Sequence, residues 1–268
     1  MSAMCLHSTG RAEIWQGDCL DPEHVAAVMG GRKADLLFVD APYSFRTHDG
    51  HKAGKVTADR ASGFAASGTS AVHAYASRRP ERADLDYGAW SPGDVFHFCQ
   101  LWLPLTTGWA VTITDHVLAP AWAESMELAG RYVFQPLPWV EIGSRVRMLG
   151  DGPSNWTCWV IVSRPKRAPF SKWGTLRGAY VGPGENKQNR PDRITGAKSY
   201  ALMRDLIKDY SRPGDLVVDP CHGGGTTMVA ALAEGRRFVG MEKDPGRAEL
   251  CRQLLVGSRG SEKQRGLF

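Results

Sequence analysis

Two apolar runs in this sequence end in an aspartate and then break. "DLLFVD" (35–40) leads into Ala41, Pro42 and Tyr43, and "DLVVD" (215–219) leads into Pro220, Cys221, His222 and three consecutive glycines before Thr226. Glycines let a turn approach a ligand with no Cβ in the way, and the helix start beyond them offers free backbone N–H groups. Glu242 ends the next apolar run, about 20 residues beyond the turn, where an acid commonly receives both hydroxyls of a ribose. The order of strand, glycine turn, helix, strand and acid therefore predicts a site for an adenosine-containing cofactor.

Other glycine-loop chemistries fit less well. A dinucleotide turn wants GxGxxG directly after the strand, but Asp219, Pro220 and Cys221 intervene, and a phosphate loop wants a lysine before Ser/Thr. "HGGG" (222–225) matches the oxyanion loop of lipases, yet the chain contains no GxSxG nucleophile turn. Cys221 after Pro220 suggests a cytosine-C5 nucleophile, but it lies in the cofactor turn, where a small packing residue is expected. His222 reads as a loop residue facing solvent or cofactor.

The elements that must carry these residues alternate along the chain. Strands are predicted at 12–18, 35–40, 109–115, 131–142, 155–166, 215–219 and 237–242. Helices are predicted at 21–31, with Asp21 as N-cap, and at 91–105, where Ser91-Pro92 gives the same signal, then at 118–130, 198–210, 226–235 and 245–255. This alternation argues an α/β chain with a mainly parallel sheet and helices on both faces, and ligands in such sheets bind beyond the carboxyl ends of the strands. The chain of 268 residues is read as one domain, with a Gly/Ser/Ala/Arg-rich flap insertion at 44–86 and a basic region at 141–197.

Net charge is +5 and unevenly placed: between 141 and 198 eleven basic residues face four acids, so this stretch is +7 and the remainder is slightly negative. Such a stretch is either a surface for a polyanion or a solvated basic loop. The six cysteines are scattered without metal-ligand spacing, so no metal site is expected and the thiols read as reduced and intracellular. The first fifteen residues have no secretory pattern and no apolar run is long enough to span a bilayer, so a cytoplasmic protein is expected.

"DPCHGGGTT" followed by "GMEKDP" resembles the S-adenosylmethionine loop of the DNA amino-methyltransferases, and "DAPY" (40–43) resembles their catalytic D/N/S-P-P-Y/F/W tetrapeptide. "KSYALMRDLIKDYSRPGDLVVDP" and "WQGDCL" (15–20) resemble the segments preceding each motif. The order, tetrapeptide first and cofactor loop late, is that of the β group. The resemblance implies a Rossmann-like class I methyltransferase fold with permuted motif order. It implies methyl transfer from S-adenosylmethionine to adenine N6 or cytosine N4 in double-stranded DNA, as in restriction–modification, by a monomer or homodimer. The catalytic aspartate leans toward adenine.

The roles implied are specific. Asp40 and the Pro42 carbonyl accept the hydrogens of the target amine, whose lone pair is otherwise delocalised into the ring, and Tyr43 stacks on the flipped base. Asp219, Pro220, Cys221, Gly223, Gly225 and Thr226 surround the methionine part of the cofactor, and Glu242 takes the ribose. Asp18 and Cys19 lie by the adenine or simply form the turn into the first helix. Lys198 approaches the methionine carboxylate or caps a helix. Arg145, Arg147, Arg164, Lys166, Arg167 and Lys172 are the expected DNA contacts, and Arg78, Arg79 and Arg82 belong to the flap. Two departures from the family pattern stand out: Ala41 replaces the proline usual at the second position, and Ser199 comes after Lys198 where proline is usual. Ala41 leaves open a binding-only relative, and the tetrapeptide also admits RNA or a protein amine as substrate.

Overall fold

The computed structural model describes residues 2–47, 88–143, 153–167, 173–183 and 198–264. All ten described strands join one sheet. In chain order the elements are β1 (Met4–Ser8), β2 (Ala12–Gln16), α1 (Pro22–Met29), β3 (Ala34–Val39), α2 (Pro92–Trp102), β4 (Thr106–Thr114) and α3 (Ala119–Leu128). They continue with β5 (Arg131–Val133), β6 (Leu137–Ile142), β7 (Thr157–Pro165), β8 (Tyr180–Pro183), α4 (Tyr200–Tyr210), β9 (Leu216–Asp219), α5 (Thr226–Ala233), β10 (Arg237–Glu242) and α6 (Pro245–Gln264). The sheet order is β1-β2-β10-β9-β3-β4-β7-β6-β8, with β5 also on β7.

The five strands β2, β10, β9, β3 and β4 are mutually parallel. Antiparallel pairs flank them, β1 on β2 at one side and β7 with β4, β5 and β6 at the other. Side-chain alternation explains the two layers of helix. Leu36 and Phe38 of β3 pack with Leu202 and Leu206 of α4, Met228 of α5 and Cys251 of α6. Leu37 and Val39 pack with Val28 of α1, Phe98 and Trp102 of α2 and Trp122 of α3 on the opposite face. Both faces are covered, which is why β3 and β9 read as unbroken apolar runs.

The predicted ends arise from local chemistry. Asp21 Oδ1 accepts from Glu23 N and His24 N, and Gly30 closes α1 with φ +52°. Ser91 and Asp94 form a reciprocal capping box on α2. Three differences from the expected elements have physical causes. The run 131–142 is two strands, β5 and β6, separated by residues 134–136, where Pro136 lacks the ladder donor. β1 and β8 were not expected: both are short and pair along the edges that β2 and β6 offer. The flap expected at 44–86 falls outside the described residues apart from 44–47.

Candidate active site at the carboxyl edge of the sheet

The two acid-ended strands, far apart in sequence, are neighbours: Leu36 pairs with Val217 and Leu37 with Val218. Their aspartates therefore open onto the same edge of the sheet. Asp40 comes directly after β3, and its two oxygens accept from Lys198 Nζ at 2.8 and 2.9 Å. The same ammonium stands 4.7 Å from the centroid of the Tyr43 ring. The Tyr43 hydroxyl donates to Cys158 Sγ of β7 at 3.3 Å, which fixes the ring plane at the edge.

The backbone after Asp40 is tied down from two sides. Trp90 N donates to the Tyr43 carbonyl at 3.1 Å. Asp115, just past the end of β4, accepts from Ser44 N (2.9 Å), Ser44 Oγ (2.5 Å) and Thr47 Oγ1 (2.6 Å) with one oxygen. Its other oxygen takes Val117 N and Leu118 N at the start of α3. Although burial opposes its charge, the hydroxyl and amide donors hold the Asp115 carboxyl below the usual range. Ala41 is buried at this turn.

The glycine turn is built around a buried acid. Asp219 is fully buried, and Oδ1 accepts from Cys221 N at 3.0 Å while Oδ2 makes no hydrogen bond. Burial first, and then the nearby Asp40 and Glu242 carboxylates, push its pKa up to about 7, against the opposing Cys221 N–H. Gly225 sits at φ +90°, where a Cβ would meet Cys251 Sγ at 2.7 Å. It starts α5 without a side-chain cap, so the helix N-terminus faces the turn with backbone donors. Glu242 accepts from Gly223 N and Asp244 N, both at 2.9 Å, locking the turn to the end of β10.

The loop after β2 completes the edge. Asp18 pairs with Lys243 at 2.7 Å and takes Leu20 N at 3.0 Å. Burial opposes its charge, but these partners hold its carboxyl low. Cys19 Sγ lies 3.5 Å from Cys221 Sγ, so the loops after β2 and β9 touch. Both thiols are free, and Cys221 is held well above the ordinary thiol pKa by its bond to Cys19 and by burial. His222 is buried, with Nδ1 2.9 Å from Gly223 O, and its pKa is lowered by burial. It is a packing residue of the turn.

The structure thus gathers Asp40, Pro42, Tyr43, Asp18, Cys19, Asp219, Pro220, Cys221, Gly223, Gly225, Thr226 and Glu242 on one edge. It puts Lys198 on Asp40, a pairing that neither sequence reading of this lysine contained. Asp115, Cys158 and Trp90 also escaped the sequence reading. Only Asp115 left a signal, since "WAVTITD" is a third strand ending in aspartate.

The proposed DNA contacts lie differently. Arg164, near the end of β7, sits toward the opposite end of the sheet, because β7 runs antiparallel to β4 with Ser163 beside Ala110. Its guanidinium is 4.7 Å from the Tyr132 ring and 5.8 Å from that of Phe134. Lys166 and Arg167 come next in the chain and are exposed. Arg145, Arg147 and Lys172 lie outside the described residues. Part of the basic excess is neutralised internally, Arg177 by Asp205 at 2.6 Å and Lys198 by Asp40. A cavity of about 470 Å³ at this far end is lined by Trp109, Phe134, Trp173 and Tyr210, away from Asp40. Among the described residues no group of three or more His, Cys, Asp or Glu side chains could hold a metal ion, and no helix is long and apolar enough to cross a membrane.

Parts of the chain are similar to known proteins. Residues 122–253 match the model of a DNA methylase family, N6_N4_Mtase. This span holds Lys198, the glycine turn and Glu242, and it does not include the tetrapeptide. Over 77 residues the chain is 35% identical to the DNA adenine methyltransferase YhdJ of Escherichia coli, covering 29% of this chain and 24% of that protein. Over 87 residues it is 49% identical to the type II methyltransferase M.BglI of Bacillus subtilis, covering 32% and 24%. The aligned part spans about a quarter of the length of each of these curated relatives. The fold is similar to that of a M1.HpyAVI–SAM complex, with TM-score 0.60 and 18% identity over 90% of this chain and 98% of that one. It is similar also to the cytosine-N4-specific PvuII DNA methyltransferase, with TM-score 0.57 and 13% identity over 91% and 86%.

Proposed function

We propose that this chain, whose residues 122–253 match the N6/N4 DNA methylase family, methylates an exocyclic amino group of adenine or cytosine in double-stranded DNA. The observation that carries the reading is the adjacency of β3 and β9, which sets the Asp40–Tyr43 turn beside the glycine turn on one sheet edge. S-adenosylmethionine supplies an electrophilic sulfonium methyl for direct displacement, without a covalent enzyme intermediate. The residues present fit it: Asp219 Oδ2 is a buried acceptor without a partner, α5 begins uncapped, and Glu242 stands at the end of β10 with a lone pair left on each oxygen.

The chain's own residues act on the target amine. Asp40 and the Pro42 carbonyl accept its two hydrogens, drawing the nitrogen toward sp³ and freeing its lone pair. The Tyr43 face receives the base once it is turned out of the duplex. Both acceptors belong to a turn already rigid through Asp115 and Trp90, so little ordering is left for the reaction to supply. Ala41 is compatible with this role.

Incubation of the protein and tritiated S-adenosylmethionine with unmethylated duplex DNA tests the reading. Label on adenine N6 or cytosine N4 is the expected outcome. Sequencing of the modified bases then gives the target base and its context together. Label at cytosine C5, or none, rejects the proposal. Adenine is the base we expect, from the aspartate that opens the tetrapeptide.

A further inference from the structure

We propose that Lys198 occupies the target-amine position in the free protein and must leave it before a nucleobase can bind. The inference rests on the reading of Asp40 and Tyr43 as the groups that receive the target. Both handles of that site are covered by one ammonium: Nζ donates to Asp40 Oδ1 and Oδ2 at 2.8 and 2.9 Å and lies 4.7 Å from the Tyr43 ring centroid. An exocyclic amine placed for the same chemistry would donate to the same carboxylate from the same side of the same ring. The lysine is therefore a stand-in of matching chemistry, a nitrogen donor above an aromatic face.

The surroundings decide which part moves. Glu141, almost wholly buried, accepts from Trp139 Nε1 at 3.1 Å and from Ser199 N at 3.2 Å. The next turns of α4 are anchored by Leu202 and Leu206 in the core. The backbone on the C-terminal side of Lys198 is thus pinned, and the freedom lies in its four-carbon side chain, a flexible stem. Asp40 stays where β3 and the Asp115 bonds hold it. Target binding is then an exchange of one nitrogen for another on a fixed carboxylate. The measured affinity carries the cost of displacing the first.

This has a sign opposite to the ordinary effect of a lysine near DNA, whose removal weakens binding to any sequence through lost phosphate attraction. The test uses duplexes containing the target sequence that the methyl-transfer experiment identifies and a scrambled duplex, with S-adenosylhomocysteine present, and reads Kd by fluorescence anisotropy. Lys198→Met, which keeps an apolar stem over Tyr43, is expected to tighten the target duplex by about threefold or more and to leave the scrambled duplex unchanged, while Lys198→Arg stays at the wild-type value. Weaker or equal binding to both duplexes overturns the inference. A structure of the wild-type DNA complex gives an answer that needs no variant. There, Nζ more than about 4 Å from both Asp40 oxygens supports the exchange, and Nζ still bonded to both beside a bound target amine overturns it. If the wild type transfers no methyl to DNA, the proposed function fails and this inference with it. Transfer without the Kd difference rejects this inference alone.

Discussion

Asp40 and Asp219 end adjacent parallel strands and differ in almost everything else. Asp40 is partly open to solvent, carries a lysine on both oxygens, and leads into a turn held by Trp90 and Asp115. Asp219 is closed off, has one oxygen without a partner, and is pushed toward neutrality by burial. The same residue type at the same kind of strand end thus becomes a lysine-paired, partly open acceptor in one case and a protonatable buried group in the other. The difference lies in the segment after each strand. An aromatic turn stops short of covering its carboxylate, whereas the glycine turn and α5 fold back over theirs. Both acids stand at the same edge, and the packing around each decides its surroundings.

The contrast breaks most sharply at Asp40. Asp40→Ala is expected to lower methyl transfer about a thousandfold, at the upper end of what one charge-stabilising group contributes, while cofactor affinity by calorimetry stays near wild type. Loss of cofactor binding in that variant would erase the distinction between the two acids.

Asp219 yields the next largest effect, and on stability instead of rate. Its folded pKa near 7 lies above the ordinary carboxylate value near 4. The folded protein therefore binds the extra proton between those values. Stability from this group is fully present below about pH 4 and is lost as pH rises through 7, on the order of 4 kcal/mol in all. Urea unfolding at pH 5 and pH 8 should show wild type losing stability relative to Asp219→Asn. Parallel pH dependence of the two proteins counts against the buried, proton-holding acid.

Tyr43→Ala is expected to cost activity worth ~1–3 kcal/mol, the range for loss of a base-stacking face, with Tyr43→Phe retaining most of it. A Phe variant as inactive as Ala would shift the weight to the bond with Cys158. Glu242→Ala is expected to weaken cofactor binding by about 1–3 kcal/mol, and its effect on DNA affinity measured alongside should be nil. The smallest change is sought at the far end of the sheet: neutralising Arg164, Lys166 and Arg167 together should flatten the log–log salt dependence of DNA binding by up to about three counterions. An unmoved slope means that these three residues are merely solvated and that the DNA contacts lie elsewhere.

Much of the fold is legible locally. The N-caps Asp21 and Ser91, the stops at Gly30 and Gly130, and the apolar faces of α4 and β3 depend on residues within a turn or two of each other. The same is true of the glycine turn and of Glu242 at the end of the next strand. The misread pieces are those whose existence depends on a partner. β1 and β8 are strands because an edge was there to pair with, and Pro136 splits 131–142 only because β7 runs alongside both halves.

The sequence by itself determined that two strands end in acids, that one turn admits a close ligand, and that an adenosine-binding order surrounds it. These rest on dihedral freedom, side-chain period and capping, all of which act between near neighbours in the chain. Only the tertiary structure decided that β3 and β9 lie side by side, that Lys198 reaches Asp40 across 158 residues of chain, and that Asp115 braces the turn after Tyr43. Those contacts result from strand order and register, which are set by how both faces of the whole sheet are buried, and no local window contains that information.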